Sequence, residues 1–389
     1  MQPPTGLTLG FAPRLAAYYA AYFVGIGVQL PFFPLWLAAK GLDARMIGIV
    51  LAAPMVVRIV AIPLVTRQAD RRNALRAAII AGSLATALGY GLVGWMDGAV
   101  AILTAYVIAS VAFTPTMPLV DAYALRGLAQ IGRAYGPVRL WGSASFIAGS
   151  LGAGAVLGRL PPDRLIWLIA AAYAVTTAIA VWLIPITPGA TGTAQRHGAG
   201  VLLRSPAFIC VALAASLIQA SHALLYGFST IQWQAAGLSG TEVGALWALG
   251  VVAEIALFAL SGRLPAAVGP TILLIIGAAG AVVRWGAMAF EPPTALLPAL
   301  QCLHALSFAA THLGAIGYLN RAAPPALAAT AQGYLAIALG IGMAAATASS
   351  GLLYAGYGHR AYAVMALLAG VGGLFAIAAH RISRIEPPT

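Results

Sequence analysis

The chain has 389 residues, of which 61% are hydrophobic and 8% charged, against about 25% charged in an ordinary soluble domain. With 21 Lys+Arg and 9 Asp+Glu, there is too little polar surface to coat a water-soluble globule of this size, so most side chains must face lipid or one another. The net charge of +12 does not point to a nucleic-acid partner, because the basic residues are dispersed singly between apolar runs. It suits a membrane protein whose cytoplasmic loops carry the arginines. Cys210 and Cys302 lie in apolar stretches and imply no disulfide framework. The first apolar run, from Phe11 past Leu37, is too long for the core of a signal peptide.

A hydrocarbon core about 30 Å thick needs roughly 20 apolar residues of helix. In chain order, with charges and Pro/Gly clusters as punctuation, such runs fall at 12–38, 44–66, 74–96, 98–124, 138–158, 164–185, 206–234, 241–262, 270–290, 295–319, 327–355 and 359–380. These runs predict an all-α membrane protein of twelve transmembrane helices. Within span four, Pro115 and Pro118 predict a kink or a break. The even-numbered loops carry Arg67, Arg71, Arg72, Arg126, Arg133, Arg196, Arg204, Arg263 and Arg321, while the odd-numbered loops hold far fewer arginines. That bias puts both termini and the even loops in the cytoplasm, in a plasma membrane of the bacterial inner-membrane kind. The stretch 187–205 reads as a cytoplasmic linker between an N-terminal half, 1–186, and a C-terminal half, 206–389. Sliding the chain by 196 places lays Gly41, Leu42 and Gly48 on Gly237, Leu238 and Gly244, and a shift of 195 lays Gly82, Tyr90 and Gly91 on Gly277, Trp285 and Gly286. Two pseudo-symmetric six-helix halves, with no Walker-type phosphate loop anywhere, resemble a major facilitator superfamily carrier. That resemblance implies a monomeric carrier without cofactor or metal, which moves a small molecule by alternating access.

Five ionisable residues fall inside the predicted spans or at their edges: Arg58, Asp121, Arg139, Glu254 and Arg284. Each costs about 2.5–3.5 kcal/mol at the bilayer centre on insertion scales, so each calls for pairing or a wet cavity. Three arginines against two carboxylates leave one positive charge, which an anionic substrate would balance. The alternative is snorkelling of Arg58 and Arg139 to the interface, with Asp121 at a helix end. Arg58 and Glu254 are 196 apart and so occupy equivalent places in the two halves. His304, Phe308 and His312 recur at i, i+4, i+8 and share one face of span ten. That face reads as substrate-lining or proton-carrying, or else as packing; a metal site would need a further ligand that the sequence does not supply.

The run Tyr135-Gly136-Pro137-Val138-Arg139-Leu140-Trp141-Gly142-Ser143, with Asp121 eighteen residues before Arg139, resembles the span four to five region of the lactose permease type of proton symporters. Val283-Arg284, with His304 twenty residues on, is similar to that family's span nine arginine and span ten histidine. The signature around Arg139 and the run Cys302-Leu303-His304-Ala305-Leu306-Ser307-Phe308 resemble the 3-phenylpropionate permease branch most. The resemblance implies proton-coupled uptake of a small aromatic carboxylate. Arg139 and Arg284 would bind the carboxylate, Asp121 would pair with Arg139 when the site is empty, and Trp141, Phe146 and Trp285 would supply apolar walls. Glu254 and His304 would carry or relay the proton, with Arg58, Ser307 and His312 lining the cavity. Asp70 and Arg71, after span two, are similar to the superfamily's cytoplasmic gate motif. Ser307 stands where the family has an acid, which leaves Glu254 as the carboxylate within the C-terminal membrane part. Phe146 replaces a sugar-stacking tryptophan, which argues against a sugar. A sugar or nucleoside symporter is the alternative within transporters; a channel or intramembrane enzyme is the alternative outside them.

Overall fold

The computed structural model describes residues 5–186, 202–265, 267–323 and 327–385. Most of the expected linker, 187–201 with Arg196 and His197, lies outside the described residues. Among the described residues there is no strand. The helices are α1 (Thr5–Ala39), α2 (Ala44–Arg71), α3 (Leu75–Trp95), α4 (Ala99–Gln130), α5 (Tyr135–Leu157), α6 (Leu165–Val181), α7 (Pro206–Ala220), α8 (Ala223–Ala235), α9 (Gly240–Leu260), α10 (Pro270–Ala289), α11 (Leu297–Cys302), α12 (Thr311–Ala322), α13 (Ala328–Tyr357) and α14 (Tyr362–Ile385). Among the described residues eleven helical runs are long and apolar enough to cross a membrane; the last, Thr330–Arg384, is 55 residues long and takes in nearly all of α13 and α14. Those two helices meet at Gly358, whose φ of 54° only a glycine adopts readily. Large apolar side chains such as Leu88, Val100, Leu367 and Leu374 are exposed, as hydrocarbon solvent allows.

Local chemistry explains where helices stop. Gly41 sits at φ 81° and lets the Leu42 amide reach back to Leu37 O, after which Asp43 caps α2 by accepting from the Met46 amide at 2.8 Å. Gly237 repeats the turn at φ 92°, with Leu238 reaching Trp233 O and Ser239 and Glu242 exchanging capping hydrogen bonds ahead of α9. The 196-residue pairing thus marks two turns of the same construction.

Of the kink or break expected in span four, the break is absent. α4 runs through Pro115 and Pro118 without a break. The hydroxyls of Ser110, Thr114 and Thr116 donate to the carbonyls of Tyr106, Ser110 and Ala112, one turn back in that stretch. Span seven departs the other way: α7 and α8 are separated at Ser221 and His222, where Ser221 Oγ donates to Ile218 O. Span ten contains a π-helical segment, Ala305–Ala310, between α11 and α12.

The chain separates into two compact units, Met1–Thr193 with Trp233–Ala248, and Ala194–Gln232 with Leu249–Thr389. The end of α8 and the start of α9 group with the first unit because glycines let backbones touch: Gly154 abuts Gly240, and Gly244 abuts Ser150 of α5. In the second unit, Phe208, Val211, Leu274, Leu319 and Leu335 belong to one apolar core. A Cβ on Gly82 would strike Thr116 Oγ1, and one on Gly277 would strike Thr311 Oγ1. The two threonines, again 195 apart, each bond the carbonyl four residues back, Ala112 O and Ser307 O. Equivalent helices therefore cross at equivalent places in each unit.

Candidate functional site

In the first unit, Tyr19 on α1, Asp121 on α4 and Tyr135 at the start of α5 form one group. Asp121 Oδ1 accepts from the Tyr19 hydroxyl at 2.7 Å and from the Tyr135 hydroxyl at 2.8 Å. Arg139 lies one turn further along α5, its guanidinium carbon 4.1 Å from the Phe23 ring centroid and 5.6 Å from that of Tyr19. Among the described residues no ion pair joins Asp121 to Arg139. This corrects the expected pairing: two phenols take up the acid, and two aromatic faces hold the arginine. Arg139 is thus a half-buried cation without a carboxylate partner among the described residues.

Phe146, seven residues on, is buried where the α5 backbone passes Gly27 of α1. Trp141 is 59% exposed and lines a groove of about 580 Å³ with Pro13, Ala16 and Arg133. It is two residues from Arg139, and so about 200° round the helix, which is why it does not wall the arginine. Arg58 is exposed and without an ion pair among the described residues. Asp70 pairs with Arg126 of α4 at 2.9 Å, while Arg71 is exposed.

The second unit buries a larger cluster. Arg284 on α10 is 1% exposed and donates through Nη1 to His304 Nδ1 (3.0 Å) and Ser307 Oγ (3.3 Å), and through Nη2 to Gln301 Oε1 (2.7 Å). Its guanidinium lies over Trp285, whose Nε1 donates to Ser221 Oγ at 2.8 Å. His222 is completely buried, with Nδ1 facing the carbonyls of Ile218 and Gln219 and Nε2 facing Ser307 Oγ at 3.0 Å. Partner chemistry assigns the tautomers. The Nδ1 of His222 donates to carbonyls, so its Nε2 accepts from Ser307; the Nδ1 of His304 accepts from an arginine, so its Nε2 carries the hydrogen. That Nε2 lies 3.6 Å from Glu254 Oε2.

The break in α7–α8 and the π-helical segment are what assemble this group. One sets His222 against Ser307; the other, starting right after His304, widens the turn that carries Ser307. The Gln219 amide also donates to Phe308 O in that segment. His304, Phe308 and His312 stack in sequence, with ring centroids 5.0 and 6.4 Å apart, as their spacing predicts; His312 ends the stack at an exposed position. The same 195-residue shift that relates the units takes Gly89 to Arg284, Ala109 to His304 and Ala112 to Ser307. In the first unit a Cβ on Gly89 would lie 2.7 Å from Ala109 Cβ, so the same crossing is a bare Gly–Ala contact there and a charged cluster here.

Besides Tyr19 and Tyr135 in the first unit, sequence reasoning passed over His222 and Gln301 in the second. Each is a polar group within a predicted span, and counting every such group, not acids and arginines alone, would have flagged both.

Membrane-length helices with charged groups buried among them define the class, a multi-pass membrane protein. Residues 13–364 match the family described as MFS_1 like, and the chain belongs to that family. It is 35% identical over 368 residues to the probable 3-phenylpropionic acid transporter of Escherichia coli (strain K12), covering 91% of this chain and 94% of that one. It is 25% identical to the maltose permease of Geobacillus stearothermophilus, over 84% and 83% of the two chains. The crystal structure of the nucleoside transporter NupG shares the fold, with a TM-score of 0.82 at 17% identity over 95% and 98% of the chains. The crystal structure of a bacterial homolog to the human lysosomal transporter Spinster gives a TM-score of 0.74 at 14% identity, over 97% and 98%. The protein is a secondary transporter and not an enzyme.

Proposed function

We propose that this transporter is a proton symporter for a small aromatic carboxylate such as 3-phenylpropionate. The observation that carries the reading is Arg139. It is a cation in a membrane-length helix, it has no acid partner among the described residues, and it rests on two aromatic rings while the neighbouring acid is taken up by tyrosines. A carboxylate on Arg139 with its ring against Phe23 and Tyr19 satisfies both halves of that surface. The name of the 35% identical relative supports the same substrate class.

For the proton, we infer that Glu254 is the carrier and His304 its positioning partner. While Arg284 donates to Nδ1, His304 has no free lone pair for a second proton, so an incoming proton goes to the carboxylate beyond Nε2. The reading includes twelve spans in two six-helix halves. A 55-residue run would extend about 80 Å as one helix, more than twice a bilayer, so α13 and α14 serve as separate spans. Both termini then lie in the cytoplasm, in a bacterial inner membrane, and a monomer suffices.

Thermal-shift screening of the purified protein against 3-phenylpropionate, maltose and uridine tests the substrate. Stabilisation by the acid alone is expected, and Arg139→Gln should weaken it ten- to a hundredfold, on about 1.5–3 kcal/mol for a charge-assisted hydrogen bond. Stabilisation by maltose or uridine that survives in Arg139→Gln would replace the reading with a sugar or nucleoside symporter.

A further inference from the structure

Two hydrogen-bonded side chains in the second unit each keep one donor that meets no acceptor. Arg284 Nε and Gln301 Nε2 are unpartnered, although the residues are only 1% and 3% exposed. Native interiors leave few such donors, and one on a cation is especially costly. The amide orientation of Gln301 follows from its partner: Oε1 takes the Arg284 Nη2 hydrogen, so Nε2 faces elsewhere. Nη1 is engaged by His304 and Ser307. Nε is therefore what the guanidinium keeps for a further acceptor, and it lies on the edge that carboxylates grip. None of the acceptors on Arg284 is charged; the acid of the cluster, Glu254, stands beyond His304.

We propose that Arg284 Nε–H and Gln301 Nε2–H form a subsite for one monovalent anion, with Gln301 as the residue that selects it. At this burial the acceptor must be small, either the carboxylate head of the transported acid at a stage of transport when it has left Arg139, or a chloride ion. Only the first of these sources rests on the symport reading above. With Arg284 cationic and Glu254 ionised the cluster is neutral, so an added anion leaves it one charge negative, and a proton taken from bulk water onto Glu254 restores neutrality. Anion and proton then favour each other's binding by the same factor.

The test titrates full-length purified protein, in chloride-free buffer, with sodium chloride and separately with sodium 3-phenylpropionate, for wild type, Gln301→Glu and Gln301→Met. Gln301→Glu keeps the oxygen that accepts from Arg284 and replaces the donor with a negative acceptor; Gln301→Met removes both at similar volume. At least one anion should bind the wild type and weaken tenfold or more in both variants. Its binding should weaken as pH rises and Glu254 ionises, and lose that pH dependence in Glu254→Gln. Weakening confined to the acid assigns the subsite to the substrate head, and weakening confined to chloride assigns it to the free ion. Unchanged anion affinity in either variant that melts within a few degrees of wild type overturns the subsite, as does a wild type that binds neither anion. Chloride binding without acid binding would sink the substrate reading and leave the subsite standing.

Discussion

Tyr19 joins the two charges of the first unit without letting them touch: its hydroxyl is on Asp121 and its ring is against Arg139. Asp121 is on this geometry an acceptor for two phenols, and an amide oxygen in the same place can accept both. Asp121→Asn should therefore unfold within about 1 kcal/mol of wild type, whereas Asp121→Ala strands the hydroxyl of the fully buried Tyr19 at a cost of about 1–3 kcal/mol. Thermal melts in detergent rank the two, and equal melting temperatures would show that the phenols do not depend on that oxygen. The asparagine variant should also bind the acid at least as well as wild type, because the negative charge nearest Arg139 has gone.

At the scale of the elements, helix contact depends on missing side chains. A Cβ on Gly149 of α5 would lie 2.5 Å from Val24 O of α1, whereas one on Gly152, a turn away, would meet nothing within 4 Å. Gly149→Leu should cost about 1–3 kcal/mol through overpacking and Gly152→Leu close to nothing, as thermal unfolding can show; similar losses in both would contradict the α1–α5 packing. Most element boundaries were legible because charges and glycines mark them, as the Gly41-Leu42-Asp43 turn does for α1 and α2. The breaks inside spans were not. Pro115 and Pro118 suggest a break where the helix is continuous, while the break at Ser221–His222 and the π-helical segment carry neither proline nor glycine. In an apolar run the hydropathy pattern is blind to such breaks, and these two positions assemble the Arg284 cluster.

Across the whole molecule, the departures from internal repetition say where function lies. The glycine–threonine crossings and the capped turns repeat between the units, as scaffold should, whereas Gly89, Ala109 and Ala112 have as counterparts Arg284, His304 and Ser307. The family pattern named Asp121, Arg139, Glu254, Arg284 and His304 from the sequence, but not their partners, because Tyr19, Tyr135, His222 and Gln301 come from other helices and pairing is a property of packing. On the proposed symport, the charge balance in the second unit, with one buried guanidinium and one carboxylate reached through a histidine, couples one proton to each anion. Its most direct test is the pH change outside lightly buffered proteoliposomes on addition of the aromatic acid, with exchange of labelled acid measured alongside. Wild-type vesicles should take up one proton per acid, while Glu254→Gln vesicles should take up none and still exchange the acid across the membrane. Proton uptake that persists undiminished in Glu254→Gln would contradict the account.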